Sequence, residues 1–175
     1  MFSGGRILQM LTYSYDRYGC SVSYLPLGLI TDDKIHKTIC DLNREFLFNL
    51  DFDVIIASEV LKRLQNPYNV LEKVREHLTK DGLFFVINLS VTLWRCRIQI
   101  LRGKFPKYDL SHIGFWDIDS FIKLLISYGY EVLNFYPTYF VFPRYLGRIF
   151  FIKPGFLYRL FEEQFLFLTS KASQI

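Results

Sequence analysis

The chain has 175 residues, enough to bury one sizeable core, and its 51% hydrophobic and 22% charged content excludes a disordered tail. Its net charge of +4 is spread among acidic residues and forms no block of the kind that tracks a phosphate backbone, so no nucleic acid partner is expected. Cys20, Cys40 and Cys96 are odd in number and lack CxxC or His-paired spacing, which argues against a disulfide framework and a zinc site. No metal is expected, and the cysteines read as buried thiols of a reducing, cytoplasmic compartment.

The opening MFSGGRILQM has no long apolar core before a small-residue cleavage site, so it does not read as a secretory signal. The longest apolar region, near Phe135 to Leu168, is interrupted by Arg144, Arg148, Lys153 and Arg159. Each would be costly inside a bilayer, so no spanning helix is expected, while contact with a membrane surface stays open.

The first element is ambiguous. Ile7, Leu8, Met10, Leu11 and Tyr15 fit a helix stripe ending near Gly19, the preferred assignment, but Arg6 to Leu11 also fits a strand. Ser21 to Leu27 then reads as a strand weakened at its end by Pro26, and Lys37 to Asp41 as a further short one. Asp53 to Ala57 (DVIIA) is too short for a helix and apolar on consecutive positions, as a strand buried on both faces must be. Asn66 before Pro67 caps a helix that carries Val70, Leu71, Val74 and Leu78 on one face and stops at Gly82. Leu83 to Leu89 (LFFVINL) repeats the buried-strand pattern, so that 53 to 89 forms one strand, helix, strand unit with a right-handed crossover.

A less regular stretch follows from Trp94 to Trp116, within which WRCRIQILRGKF sets cationic and apolar residues at roughly helical spacing. Asp117 caps a helix bearing Phe121, Ile122, Leu124, Leu125 and Tyr128, and Gly129 suits the left-handed residue that ends it. Tyr130 to Tyr136 is a strand, and Gln164 to Thr169 a last one, reached through an aromatic connection containing Pro137, Pro143 and Pro154. The alternation argues for a mostly parallel sheet flanked by helices, an α/β class.

Three phrases carry a family resemblance: TICDLN at 38 to 43, FDVIIASEVLKRLQNPYNVLEKVREHLTKDGLFFVINLS at 52 to 90, and HIGFWDIDSFIKLLISYGYEVL at 112 to 133. QFLFLTSK at 164 to 171 completes them. In order and spacing they resemble the class I S-adenosylmethionine-dependent methyltransferases of the small-molecule type. The resemblance implies a Rossmann-like sheet of seven strands, with the cofactor S-adenosylmethionine across the carboxyl ends of the strands, where open α/β sheets bind ligands generally. It implies that Asp41 and Leu42 contact the adenosine and that Ser58 and Glu59 line the channel for the reacting methyl. One domain spans 1 to 175 on this reading: an incomplete cofactor-binding part over 1 to 50, the best-matching core over 51 to 136, and the aromatic connection with the final strand over 137 to 175.

Departures from the family are specific. Its first strand and glycine-rich turn are missing or degenerate, with Ser3, Gly4 and Gly5 as the remaining tail of that turn, so the chain is expected to begin after the central strand. Pro26 stands where an acidic residue usually holds the ribose hydroxyls, and Arg63 where a histidine often follows the fourth strand. Trp94, Arg95 and His112 fall in segments that face the methyl acceptor in the resembling proteins.

Each candidate has a plainer reading. Asp41 fits a solvated turn, Glu59 a first-turn helix acid favoured by the dipole, and His112 a surface or packing position. A basic, aromatic wall at Trp94 and Arg95 suits a small-molecule or lipid-like acceptor, whereas amphipathic packing with snorkelling arginines explains the same pattern. The aromatic region after Phe135 suits core filling, a homodimer contact or a peripheral membrane contact. The functional expectation is methyl transfer to a small-molecule, quinone-like, glycan or lipid acceptor; the rival is a non-catalytic protein or fragment of the same fold that binds a partner.

Overall fold

The computed structural model describes residues 8–11, 17–21, 35–39, 42–44, 49–105, 113–140 and 162–172. Strands β1 (Leu8–Leu11), β2 (Arg17–Ser21), β3 (Ile35–Ile39) and β4 (Phe52–Ser58) come first. A 3-10 turn over Leu61–Arg63, helix α1 (Pro67–His77) and strand β5 (Leu78–Leu89) follow. Helices α2 (Trp94–Leu101) and α3 (Ile118–Ser127) then lead into β6 (Tyr130–Phe140) and β7 (Glu162–Lys171). The strands make one seven-stranded sheet in the order β3-β2-β1-β4-β5-β7-β6.

β4 and β5 are parallel neighbours, with Val54 opposite Leu83 and Ser58 opposite Ile87. The expected strand, helix, strand unit is therefore present. β2 and β3 are also parallel, whereas β7 runs antiparallel to β5 and β6, and β1 antiparallel to β2 and β4. The sheet is thus mixed: five strands share one direction, and β1 and β7 oppose them.

Residues 8–11 form a strand, which corrects the helix preferred from the sequence. Apolar residues at 8, 10 and 11 satisfy either period, and what decides is the partner: Leu8 to Leu11 pair along Ala57 to Val54 of β4. β1 thereby holds the place beside β4 that the family's central first strand would take, but runs the opposite way. The strand expected over Ser21 to Leu27 lies earlier, at Arg17–Ser21, and residues 22 to 27 are outside the described set.

Helix α1 starts as its sequence dictates. Asn66 Oδ1 accepts the Asn69 N–H at 3.3 Å, and Pro67 sits in the first turn. It ends at His77, five residues before the expected stop at Gly82, because Leu78 is drawn into the sheet opposite Phe52 and is buried there. Residues 79 to 82 then make an irregular excursion before the register resumes at Leu83, pinned by the Thr79 hydroxyl donating to Asp53 Oδ1 at 3.2 Å. Helix α3 follows its forecast: Asp117 Oδ1 accepts the Ser120 N–H at 2.9 Å, and Gly129 closes the helix at φ +76°. That hydrogen bond holds the Asp117 carboxyl below its ordinary range, against a smaller opposing effect of burial.

The core lies on one face of the sheet. Ile55 and Ala57 of β4, Phe84 and Val86 of β5, and Phe165 and Phe167 of β7 meet Val70, Leu71 and Val74 of α1 and Phe121 and Leu125 of α3. The Phe121 ring sits 5.7 Å from that of Phe165 and 5.6 Å from that of Phe167, distances at which aromatic pairs attract. Each large side chain removed from water here contributes about 1.5–3 kcal/mol, which fixes α1 and α3 against the strands whose carboxyl ends carry the site.

Candidate functional site

At the carboxyl end of β4 the chain turns sharply. Ser58 is half-buried, and Glu59 takes φ +58°, in the left-handed region, while its N–H still donates to the Ile87 carbonyl at 2.9 Å. A residue with a Cβ costs about 1–2 kcal/mol in that conformation, so its surroundings must hold it. They do so through the carboxylate, which accepts from Lys62 Nζ at 2.5 Å and from Gln164 Nε2 at 3.3 Å.

The pair is largely removed from solvent, with side-chain exposures of 3% for Lys62 and 16% for Glu59. Burying one charge without the other would be expensive, so the i,i+3 spacing across the 3-10 turn matters. The Lys62 carbonyl in turn accepts the N–H groups of Ile113 and Gly114, at 2.7 and 2.9 Å. One residue therefore neutralises the carboxylate and anchors the segment before α3.

The end of β5 adds polar groups on the core-facing side. Asn88 and Ser90 are both buried. Asn88 Oδ1 accepts the Leu89 N–H at 3.3 Å, while its Nδ2 has no partner among the described residues. An orphaned buried donor of this kind is uncommon. Ser90 bonds the Thr92 hydroxyl at 2.7 Å and forms an isolated bridge with Trp116.

Next to this cluster lies a pocket of about 270 Å³ lined by Leu64, Gln65, Tyr68, Phe115 and Trp116, among others. Gly114 lies close under the Trp116 ring, and a Cβ there would require the ring to shift. The turn after β3 approaches from the other side, where Asn43 Oδ1 accepts the Gln65 N–H at 2.8 Å.

The residues proposed from sequence are distributed unevenly. Ser58 and Glu59 share one strand end. Leu42 is buried within the core cluster, so its side chain serves packing. Trp94 and Arg95 open α2, with the Arg95 guanidinium 5.5 Å from the Trp94 ring centre, and neither lines the pocket. Gly4, Gly5, Asp41 and His112 lie outside the described residues. Sequence reasoning missed Lys62, Asn88 and Gln164. A lysine three residues after Glu59 and an asparagine inside an apolar strand were the available signals for the first two; Gln164 had none, because antiparallel pairing across 105 residues brings it to Glu59. Among the described residues no group of three or more His, Cys, Asp or Glu could hold a metal ion.

The strand end brings together a carboxylate paired with a buried lysine, a half-buried serine and an amide with hydrogen-bonding capacity to spare. The β1 side offers no such cluster among the described residues. Leu8–Leu11 contains no glycine, and the link from β1 to β2 leaves at the amino end of β4, where Leu11 faces Val54.

The sequence profile of a family described as a methyltransferase domain matches residues 17–134. No curated protein matches the chain by sequence. Among solved structures, an S-adenosylmethionine-dependent methyltransferase from Thermotoga maritima superposes with a TM-score of 0.63 at 16% identity, over 88% of this chain and 72% of that one. A second, from Mesorhizobium loti, gives 0.59 at 14% identity over 88% and 79%. The protein assigned as a methyltransferase in a Haloferax volcanii complex with the Trm112 methyltransferase activator gives 0.61 at 11% identity over 90% and 72%. At these identities the structural likeness speaks to the fold.

Proposed function

The chain belongs to the methyltransferase-domain family, whose class I members use S-adenosylmethionine, and on that premise we propose that it transfers a methyl group to a small-molecule, quinone-like, glycan or lipid-like acceptor. The observation that carries this reading is the parallel pair β4 and β5 ending in the Glu59, Lys62 and Gln164 cluster.

S-adenosylmethionine supplies an electrophilic methyl group on a sulfonium. This chain's contribution is positioning, since an in-line transfer needs donor and acceptor held close and aligned more than it needs covalent help. Ser58 and Glu59 line the methyl channel, and Asp41 with the Leu42 backbone contacts the adenosine. Gly4 and Gly5 precede the strand whose first described residue, Leu8, faces Ala57 at this end of the sheet, and they are assigned to the donor's amino-acid portion. Glu59 acts electrostatically. Both its carboxylate oxygens already accept hydrogen bonds, from Lys62 and Gln164, which fix its position beside the donor. The Tyr68 and Trp116 pocket is the acceptor's apolar seat, and Trp94 and Arg95, which do not line it, are assigned with His112 to the acceptor's approach.

Calorimetric titration of the full chain with S-adenosylmethionine and S-adenosylhomocysteine tests this. Saturable binding is expected, and absence of heat at millimolar ligand overturns the reading. A second reading, a non-catalytic subunit of the same fold, draws on the reversed β1. It predicts the silent titration.

A further inference from the structure

Helix α2 is laid into the molecule with the wrong side out for a core helix. At 3.6 residues per turn Trp94, Ile98 and Leu101 fall within an arc of about 60°, and Cys96 lies on roughly the opposite side. A helix packed on a core would bury that stripe. Here only Cys96 is buried, whereas Leu101 is 85% exposed, Ile100 57% and Ile98 37%, and Phe105 just beyond the helix is 63% exposed.

Cations border the stripe on both sides. Arg95 and Arg97 flank it, and Arg102 and Lys104 continue past its end. None of the four pairs with a carboxylate among the described residues; Arg97 Nε donates to the Thr92 carbonyl, and Arg95 rests over Trp94. From Gly82 to Tyr108 the sequence has no Asp or Glu and five Lys or Arg, which leaves 16 cationic against 17 acidic side chains in the rest of the chain. The net positive charge of the whole protein thus sits on the segment that also exposes its apolar stripe.

We propose that α2 and the turn after it dock on an anionic lipid surface, with Ile98, Leu101 and Phe105 entering the headgroup boundary and Arg95, Arg97, Arg102 and Lys104 at the level of the lipid phosphates. Exposed apolar residues bordered by arginines are what an interfacial helix requires, and a juxtaposed acid-free segment complements anionic lipid. Among the described residues no helix is long and apolar enough to cross a membrane, so the contact is peripheral at α2. Because α2 follows the carboxyl end of β5, docking would hold the site against the bilayer and admit an acceptor dissolved there. That last step rests on the methyl-transfer reading; the docking does not.

The test is co-sedimentation of the full chain with vesicles of phosphatidylcholine alone or with about one third phosphatidylglycerol. Binding is expected to the anionic vesicles only, and to fall as salt screens it. The double variant Ile98→Ser, Leu101→Ser and, separately, Arg102→Gln, Lys104→Gln should each lower the partition coefficient roughly tenfold, with melting temperature and S-adenosylhomocysteine titration unchanged. Equal binding to neutral vesicles, no binding to either, or unaffected variants would overturn the proposal. So would a light-scattering dimer dispersed by Leu101→Ser, which would make the stripe a contact between copies. The vesicle experiment needs no donor, so a silent titration removes the methyl-transfer reading and leaves the docking standing.

Discussion

Glu59 bears two costs together: a backbone in the left-handed region and a carboxylate mostly withdrawn from water. Lys62 and Gln164 offset the second, and only a glycine would remove the first. Two truncations separate them. Both Glu59→Ala and Glu59→Gly remove the carboxylate of a largely buried ion pair and should destabilise the protein, by up to about 3–5 kcal/mol. Glu59→Gly should lose about 1 kcal/mol less than Glu59→Ala, since alanine keeps the Cβ that the conformation disfavours; urea unfolding of the two variants gives the difference. The strand end that carries Ser58 and Glu59 was legible in the sequence, because a buried apolar run announces where it stops. The partnership of Glu59 with Lys62 and the orphaned amide of Asn88 were not, because burial of a polar group depends on what the rest of the chain brings over it.

Between elements, Tyr130 ties β6 to α1. Its ring is buried 5.3 Å from that of Phe84, and its hydroxyl donates to the Leu71 carbonyl at 2.7 Å. Burial pushes its pKa far above the ordinary phenol range, with the positive charge of Arg75 opposing weakly. A raised folded-state pKa means that the folded protein holds the phenol proton more tightly than the unfolded chain does. The resulting stability is complete below the unfolded value near pH 10 and declines as pH rises beyond it. Tyr130→Phe should cost about 1 kcal/mol at neutral pH, from the lost hydrogen bond. The gap between wild type and variant should then shrink as pH rises above about 10, as followed by denaturation at a series of pH values.

Local chemistry determines some elements and not others. The starts of α1 and α3 were readable because Asn66, Pro67 and Asp117 act on their own first turns. The end of α1 was not, since Leu78 is a sound helix residue that pairs with Phe52 instead. β1 was misassigned for a related reason: four residues hold too little periodicity to choose a structure, and the exposed edge of β4 chooses for them.

For the molecule as a whole, the seven strands and the parallel β4 and β5 follow the resemblance seen in the sequence, while the direction of β1 departs from the mostly parallel sheet expected. Antiparallel β1 fills the sheet beside β4, yet its link to β2 leaves at the end away from Glu59. On the proposed methyl-transfer reading, the burden of holding a donor falls on the β4 and β5 ends, where the Glu59 and Lys62 pair, Asn88 and the Lys62-anchored segment converge. The docking surface on α2 begins a few residues beyond the same end, so donor site and membrane face would share one side of the molecule.

Hydrogen exchange with and without saturating S-adenosylhomocysteine tests this placement most directly. Slowed exchange is predicted at the amides of 56–64 and 86–92, which span the ends of β4 and β5, with the exposed α2 amides unchanged. Protection confined to other strands, or none at all, would contradict it.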